Sequence, residues 1–385
     1  MTSPETVNVA IIGGGLMGRE IAAALQRWPA LIDHPVRPRL TAVCDLNPEA
    51  LEWFRRIDSV TTLVTDYHDL LADPSIDVVY IAVRHDLHEQ LYIDTVAAGK
   101  DLLAEKPFGI DSAAATRVIE AIDAASAFVR VSSEMPFFPG AQWAIDYVRS
   151  GAAGRLISVR SGFLHSSDLD VRKPINWKRQ AQFCGASGVM NDLGMHAWHV
   201  PLRLGWHPSR LSAQLQDLVP ARPGPDGEPV VCDTWENAAI HADVDSPAGA
   251  FLLDVRTDRV APGNKNTWYL EVVGMDGGVR FSTAQPARVE VFATVDVPGI
   301  GREQSWQIIE TGSQSVWPTV TGGIFETGFS DAILQMWAAF LAERAGALGT
   351  RFGCATPDEA LAGHRMAEAA ALSHESGRRV TVAPA

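Results

Sequence analysis

The sequence predicts a doubly wound, mostly parallel α/β domain followed by an α+β part built on a predominantly antiparallel sheet with one exposed face. Three observations carry that expectation. In the first third of the 385 residues, short apolar runs alternate with helical segments, as in strands buried on both faces between crossover helices. After about residue 150 several strand-like runs alternate polar and apolar side chains, as in a sheet with one solvated face. Between the first run and the first helix stands Gly13-Gly14-Gly15-Leu16-Met17-Gly18. A chain of this length exceeds what one small core organises, and the expected units are 1–133 and 134–385.

The elements follow in order. VNVAII (7–12) reads as a strand and GREIAAALQRW (18–28) as a helix. LTAVCD (40–45) and VVYIAV (78–83) are strands, followed by helices PEALEWFRRI (48–57) and HEQLYIDTVAAG (88–99). DLLAEK (101–106) and FVRVSS (128–133) are strands flanking the helix SAAATRVIEAIDAAS (112–126). In the second part RLISVRSGFL (155–164), WENAAIHADV (235–244), GAFLLDVRT (249–257), WYLEVVG (268–274), GVRFST (278–283) and RVEVFAT (288–294) read as strands. Turn signals such as PGPDG and GMDGG separate them. Segments 329–346 and 357–376 read as helices, the latter with Thr356 as its N-cap.

Composition excludes several classes. The formal charge of −14, with no basic stripe, argues against nucleic acid and anionic membrane partners. No apolar segment approaches the ~18 residues of a membrane span. The N-terminus lacks a basic region and a cleavage site, and the four cysteines form no C-x-x-C pair. A cytoplasmic location is expected.

The glycine segment fits G-x-G-x-x-G in the context that gives the pattern meaning, a strand before it and a helix after it. Gly13 makes the tight turn, Gly15 lets a pyrophosphate approach the backbone, and Gly18 lets the helix pack closely. The N–H groups at the start of the helix, with Leu16 and Met17, favour the phosphates. Asp45 closes the second strand, where a carboxylate accepts from both ribose hydroxyls and repels a 2′-phosphate. Asp45 also reads as a cap for the next helix. No basic residue follows at once, so the expected cofactor of this Rossmann-type unit is NAD in preference to NADP.

GVMNDLGMHAWH (188–199) places Asp192, His196 and His199 at i, i+4 and i+7, one face of a helix. Taken alone the spacing serves a metal, an acid–base pair or an ordinary polar edge equally. Hydride transfer to NAD needs no metal and no further His/Glu motif supports one, so no metal site is expected.

These segments resemble the glucose–fructose oxidoreductase / inositol dehydrogenase / rhizopine-catabolism (Gfo/Idh/MocA) family. Ala104-Glu105-Lys106-Pro107 resembles its E-K-P signature and NDLGMH its D-x-G-x-H segment. VVYIAVRHDLHEQ and WYLEVVGMDGGVRF resemble two further stretches of the family. The resemblance implies a Rossmann domain followed by an α+β domain with a large open, predominantly antiparallel sheet, oxidation or reduction of a sugar, anhydrosugar or inositol-type polyol, and a homodimer or homotetramer formed through the open sheet. It implies that Lys106, Asp192 and His196 are catalytic, and that Ala82, Arg84, His88, Glu105 and Lys106 stand beside the cofactor. Pro107 matches a proline whose peptide bond is often cis. Three positions depart from the pattern: Arg84 replaces a usual proline, SSEMPFFP (132–139) lacks a frequent arginine, and His199 replaces a frequent aspartate.

Oxidising a secondary alcohol requires a C–H facing the nicotinamide, a proton acceptor and a group that stabilises developing negative charge. His196 suits the acceptor role because its reference pKa of ~6.5 lies near operating pH. Asp192, one turn earlier, orients the ring in this reading, and Lys106 stabilises the oxygen. The reverse assignment, with Lys106 as acceptor, stays open on sequence grounds. His88 is expected to support the cofactor loop, and His199 to shape structure or substrate. Substrate contacts are expected from His165, Arg172, Trp177 and Lys178, with Lys106, Asp192 and His196; segment TDRVAPGNKNTW (257–268) is a second wall. An alternative on the same scaffold is an NAD-dependent glycosidase or lyase working through a transient 3-keto sugar.

Overall fold

The computed structural model describes residues 4–246 and 249–383. The chain forms two compact units, and they are not a simple cut at 133. Residues up to 134, with 315–322 and 328–360, form the first; 135–314, 323–327 and residues from 361 onward form the second. The difference from a single boundary has a physical cause. Helix Phe329–Arg344 carries an apolar run buried from Ala332 to Ala342, and it lies against the first helix, Leu16–Gln26. Phe340 meets Phe128, and the next turn adds ion pairs from Glu343 to Arg130 and from Arg344 to Asp101.

The first unit is a six-stranded parallel sheet. Its strands are β1 (Glu5–Ile12), β2 (Val36–Cys44), β3 (Thr62–Val64), β4 (Val78–Ile81), β5 (Asp101–Ala104) and β6 (Val129–Val131). Their order is β3-β2-β1-β4-β5-β6. The central strands are buried throughout their cores, with Val9, Ile11, Val79, Ile81 and Leu103 fully inaccessible. That explains why they read as continuous apolar runs. The short β3, half-buried at every position, carries no such signal.

In the second unit β7 (Leu156–His165), β8 (Pro208–Gln216), β11 (Asn237–Ser246), β12 (Gly249–Asp258), β13 (Asn266–Gly274), β14 (Gly277–Ser282), β15 (Arg288–Val297), β16 (Gly301–Glu310) and β17 (Val380–Thr381) form one sheet; β9 (Ala221–Pro223) and β10 (Pro229–Val231) form a separate small ribbon. The order of the large sheet is β16-β15-β14-β13-β7-β12-β11-β8-β17. All its pairs are antiparallel except β7 with β12. One face carries helix Val189–Arg203, which crosses β7 and β12. The opposite face leaves Leu252 and Ile308 exposed. Thr356 does cap the last helix, Pro357–Ser376: its Oγ1 accepts from the Glu359 N–H at 3.2 Å, and the Glu359 carboxylate accepts from the Thr356 N–H at 2.8 Å. This reciprocal box satisfies two donors at once.

Candidate active site

The glycine turn lies between β1 and helix Leu16–Gln26, and its backbone is crowded on one side and open on the other. Gly13 adopts φ +106°, and a Cβ there would stand 2.2 Å from the Ala82 carbonyl oxygen. A Cβ on Gly18 would stand 2.0 Å from the Gly13 carbonyl oxygen. A Cβ on Gly15 would meet nothing within 4 Å. The first two positions therefore admit only glycine, and the third leaves space for a ligand to approach. Helix Leu16–Gln26 has no side-chain cap and no acidic residue in its first turn; helix Ser112–Ala125, by contrast, is capped by Asp111. Uncapped N–H groups facing open space suit a dinucleotide pyrophosphate.

Asp45 is tied to this turn. One carboxylate oxygen accepts from the Gly14 N–H at 2.6 Å and the other from the Asn47 N–H at 2.8 Å. The cap of the following helix is Asn47, whose side chain accepts from Glu49 N–H, so the helix-cap reading of Asp45 does not apply. Arg84, after β4, forms a two-pronged pair with Asp86 at 2.6 and 2.8 Å, and that hydrogen bonding holds the guanidinium pKa up.

His88 is a buried clip. Its Nδ1 lies 2.8 Å from the Pro107 carbonyl and its Nε2 3.2 Å from the Val83 carbonyl. A neutral imidazole has one N–H, and the shorter contact assigns it to Nδ1. Burial outweighs the two carbonyls and lowers the His88 pKa to about 4. The ring thus joins the loop after β4 to the turn that carries Lys106. The Lys106–Pro107 bond in that turn is cis.

Glu105 has internal partners for both carboxylate oxygens. Oε1 accepts from Tyr80 Oη at 2.6 Å and Ser132 Oγ at 2.5 Å, and Oε2 from the Lys106 N–H at 3.2 Å. Its carbonyl accepts from Tyr92 Oη at 2.7 Å. A residue expected beside the cofactor is therefore the anchor of the lysine turn. Sequence reading passed over Glu134, which is wholly buried and whose carboxyl is pushed up to about 7, first by desolvation and then by the Glu105 charge. The lone acid in SSEMPFFP, between small and apolar neighbours, was its signal.

In the second unit, helix Val189–Arg203 is buried at every position from Val189 to Leu202. A helix begins there because Gly188, at φ +55°, turns the chain against Trp235, whose carbonyl accepts the Val189 N–H. Asp192 lies in the first turn. Lys178 Nζ donates to it at 2.9 and 3.2 Å, and the Arg259 guanidinium lies 2.6 Å from its other side. Arg259 also donates to the Lys178 carbonyl at 3.2 Å, so the two cations are fixed together. These two cations hold the carboxylate that was expected to orient His196. Arg259 lies in the predicted second wall, and nothing in the sequence separates its buried guanidinium from that of the exposed Arg256.

His196 follows Asp192 by one turn. Its carbonyl accepts from Trp268 Nε1 at 2.7 Å, and its ring meets Phe163 edge-on at 4.9 Å. His165 meets the same phenyl ring at 4.8 Å. Trp177 lies 5.4 Å beneath the Lys178 ammonium. Arg172 is exposed and paired with Asp170 at 2.9 Å. His199 is fully buried. Among the described residues no three His, Cys, Asp or Glu side chains are grouped to hold a metal, and no helix is long and apolar enough to cross a membrane.

Comparison with known proteins gives consistent matches. Residues 7–133 match the oxidoreductase family with an NAD-binding Rossmann fold, Gfo/Idh/MocA, and residues 142–280 match the Gfo/Idh/MocA C-terminal domain. Levoglucosan dehydrogenase of Pseudarthrobacter phenanthrenivorans is 26% identical over 340 residues, covering 83% of this chain and 85% of that one. D-xylose 1-dehydrogenase (NADP(+)) of Hypocrea jecorina is 27% identical over 232 residues, 59% of this chain and 56% of that one. A solved levoglucosan dehydrogenase in complex with NADH shares the fold, with TM-score 0.87 over 99% of this chain and 100% of that one at 22% identity.

Proposed function

The chain belongs to the Gfo/Idh/MocA family of oxidoreductases and uses NAD, and on that premise we propose that it oxidises a secondary hydroxyl of a sugar, anhydrosugar or inositol-type polyol. The observation that carries this reading is the clamped Asp192 carboxylate one helical turn before His196. In this reading residues 1–133 hold the cofactor through Gly13, Gly15, Leu16, Met17, Gly18 and Asp45, beside Ala82, Arg84 and the turn anchored by His88 and Glu105. Residues 134–385 recognise the substrate, apart from the segments that fold back onto the first unit. When bound, NAD supplies the hydride acceptor.

The chain's own groups do the rest. Lys106 binds the reacting hydroxyl and stabilises negative charge on its oxygen. His196 accepts the hydroxyl proton. Asp192 favours the imidazolium that forms, its geometry fixed by Lys178 and Arg259. Trp177 offers an apolar platform to the ring's C–H face, and His165 and the half-exposed Lys178 supply donors. The exposed apolar side chains on the open face of the large sheet support a homodimer or homotetramer formed there, in the cytoplasm.

A panel of anhydrosugars, aldoses and inositols offered with NAD, followed by NADH absorbance, tests the reading. At least one polyol should be turned over. His196→Ala should lower kcat by about 10²–10⁴-fold, the usual contribution of a general base, with NADH binding kept. Binding of NADH without turnover of any polyol would reject the assignment.

A further inference from the structure

We propose that Glu134 is a positioning residue for this chemistry: set beside Glu105 and Lys106, its carboxylate holds the Lys106 amine in the ammonium form and so leaves proton acceptance to His196. The inference rests on the reading above and deepens it. Strands β5 and β6 run parallel, with Ala104 opposite Val131. The Ser132 N–H continues the ladder, donating to the Ala104 carbonyl at 2.8 Å. Lys106 is thus two residues beyond one strand end and Glu134 three beyond its neighbour, at the same edge of the sheet.

The titratable groups whose charges reach Glu134 include Glu105 and Lys106 from the end of β5 and Tyr80 from β4. Glu105 has two hydroxyls and a backbone N–H on its carboxylate, so both of its oxygens already have partners. Glu134, only 6% exposed, is the carboxyl of the pair that yields. Lys106 pulls it toward ionisation, against desolvation and the Glu105 charge. Such coupling is reciprocal: whatever the ammonium does for the carboxylate, the carboxylate does for the ammonium. An amine near an ionised carboxyl holds its proton more firmly, and a protonated amine stabilises a developing alkoxide but cannot accept the alcohol's proton. The apolar and small neighbours in Ser132-Ser133-Glu134-Met135-Pro136 provide no competing cation on that segment.

The test needs no substrate at first. Lys106 is half-buried and can be acylated by an amine-reactive reagent over a pH series, the modified peptide being quantified by mass spectrometry. In Glu134→Gln the midpoint of Lys106 reactivity should fall by about one pH unit, a typical effect of one nearby opposite charge, and Glu134→Asp should restore most of it. NADH titration by fluorescence should stay within about twofold, which shows that each variant is folded. If the midpoints of wild type and Glu134→Gln coincide while NADH still binds, the assignment is wrong. Once a polyol substrate is in hand, the alkaline limb of kcat/KM should move down with the reactivity midpoint; an unmoved limb would also overturn it. A shifted midpoint in a protein that oxidises no polyol would sustain the Glu134–Lys106 coupling and reject the proposed function instead.

Discussion

Two buried carboxylates, one in each unit, are held by opposite means. In the first unit Glu105 is satisfied by two hydroxyls and a backbone N–H, all neutral donors. In the second, Asp192 sits between an ammonium and a guanidinium. Neutral donors leave the local charge negative, and burial first, with that charge second, pushes a further acid, Glu134, toward its protonated form. Two cations leave the local charge positive and hold one carboxylate in place. The contrast shows where sensitivity should lie: to proton concentration in the first unit, and to removal of a charged side chain in the second.

The largest expected effect breaks the clamp. Arg259 is 2% exposed, and removing one partner of a buried ion pair leaves an uncompensated charge, typically costing about 3–5 kcal/mol. Arg259→Met should lose stability of that order in urea unfolding. Lys178 touches the same carboxylate, but its side chain is 37% exposed, so Lys178→Met should cost about 1 kcal/mol or less while lowering kcat/KM by more than tenfold. Equal stability losses in the two variants would erase the distinction between the buried and the solvent-facing cation.

A second prediction sharpens the contrast through pH. Glu134 has its folded pKa raised from the ordinary 4.5 to about 7. Its stabilising contribution is complete below pH 4.5 and is lost as pH rises through 7. His88 has its folded pKa lowered from 6.5 to about 4, so its contribution is complete above pH 6.5 and is lost as pH falls through 4. Each interval corresponds to roughly 3 kcal/mol at about 1.4 kcal/mol per unit, and between pH 4.5 and 6.5 the two oppose each other. Glu134→Gln removes one of them. Relative to wild type, it should gain stability as pH rises from 5 to 7, by up to about 3 kcal/mol in paired urea titrations. A constant difference across that range would show that Glu134 does not titrate there.

This contrast also separates what the sequence reveals from what it hides. The parallel sheet was legible because its strands are buried on both faces, and the glycine turn because its spacing has one backbone geometry behind it. Lys106, Asp192 and His196 stood out through the motifs around them. The strand Gly301–Glu310 was not legible: all but one of its residues are exposed, so no apolar face marks it. The partners of Glu105, and Glu134 and Arg259 themselves, were hidden for a related reason. A buried charge is recognisable only from its partners, and Tyr80, Ser132 and Lys178 lie between 14 and 27 positions away from the acids they meet. The return of helix Phe329–Arg344 to the first unit was hidden likewise, since an apolar helix does not announce which sheet it joins.

The smallest effect probes the neutral side. Tyr80→Phe deletes one of three donors to Glu105 and changes little else, because the ring is fully buried and meets Trp337 at 6.1 Å. A hydrogen bond to a charged group contributes about 1.5–3 kcal/mol, but Ser132 and the Lys106 N–H remain, so the loss should fall near 1–2 kcal/mol. Ser132→Ala should cost the same, and the double variant more than the sum, since Glu105 would then keep only the weaker backbone donor at 3.2 Å. The same double variant should raise the Lys106 turn's exposure to amide exchange. Strict additivity in a double-mutant cycle, with unchanged exchange, would mean that the two hydroxyls act independently and that Glu105 does not anchor the turn.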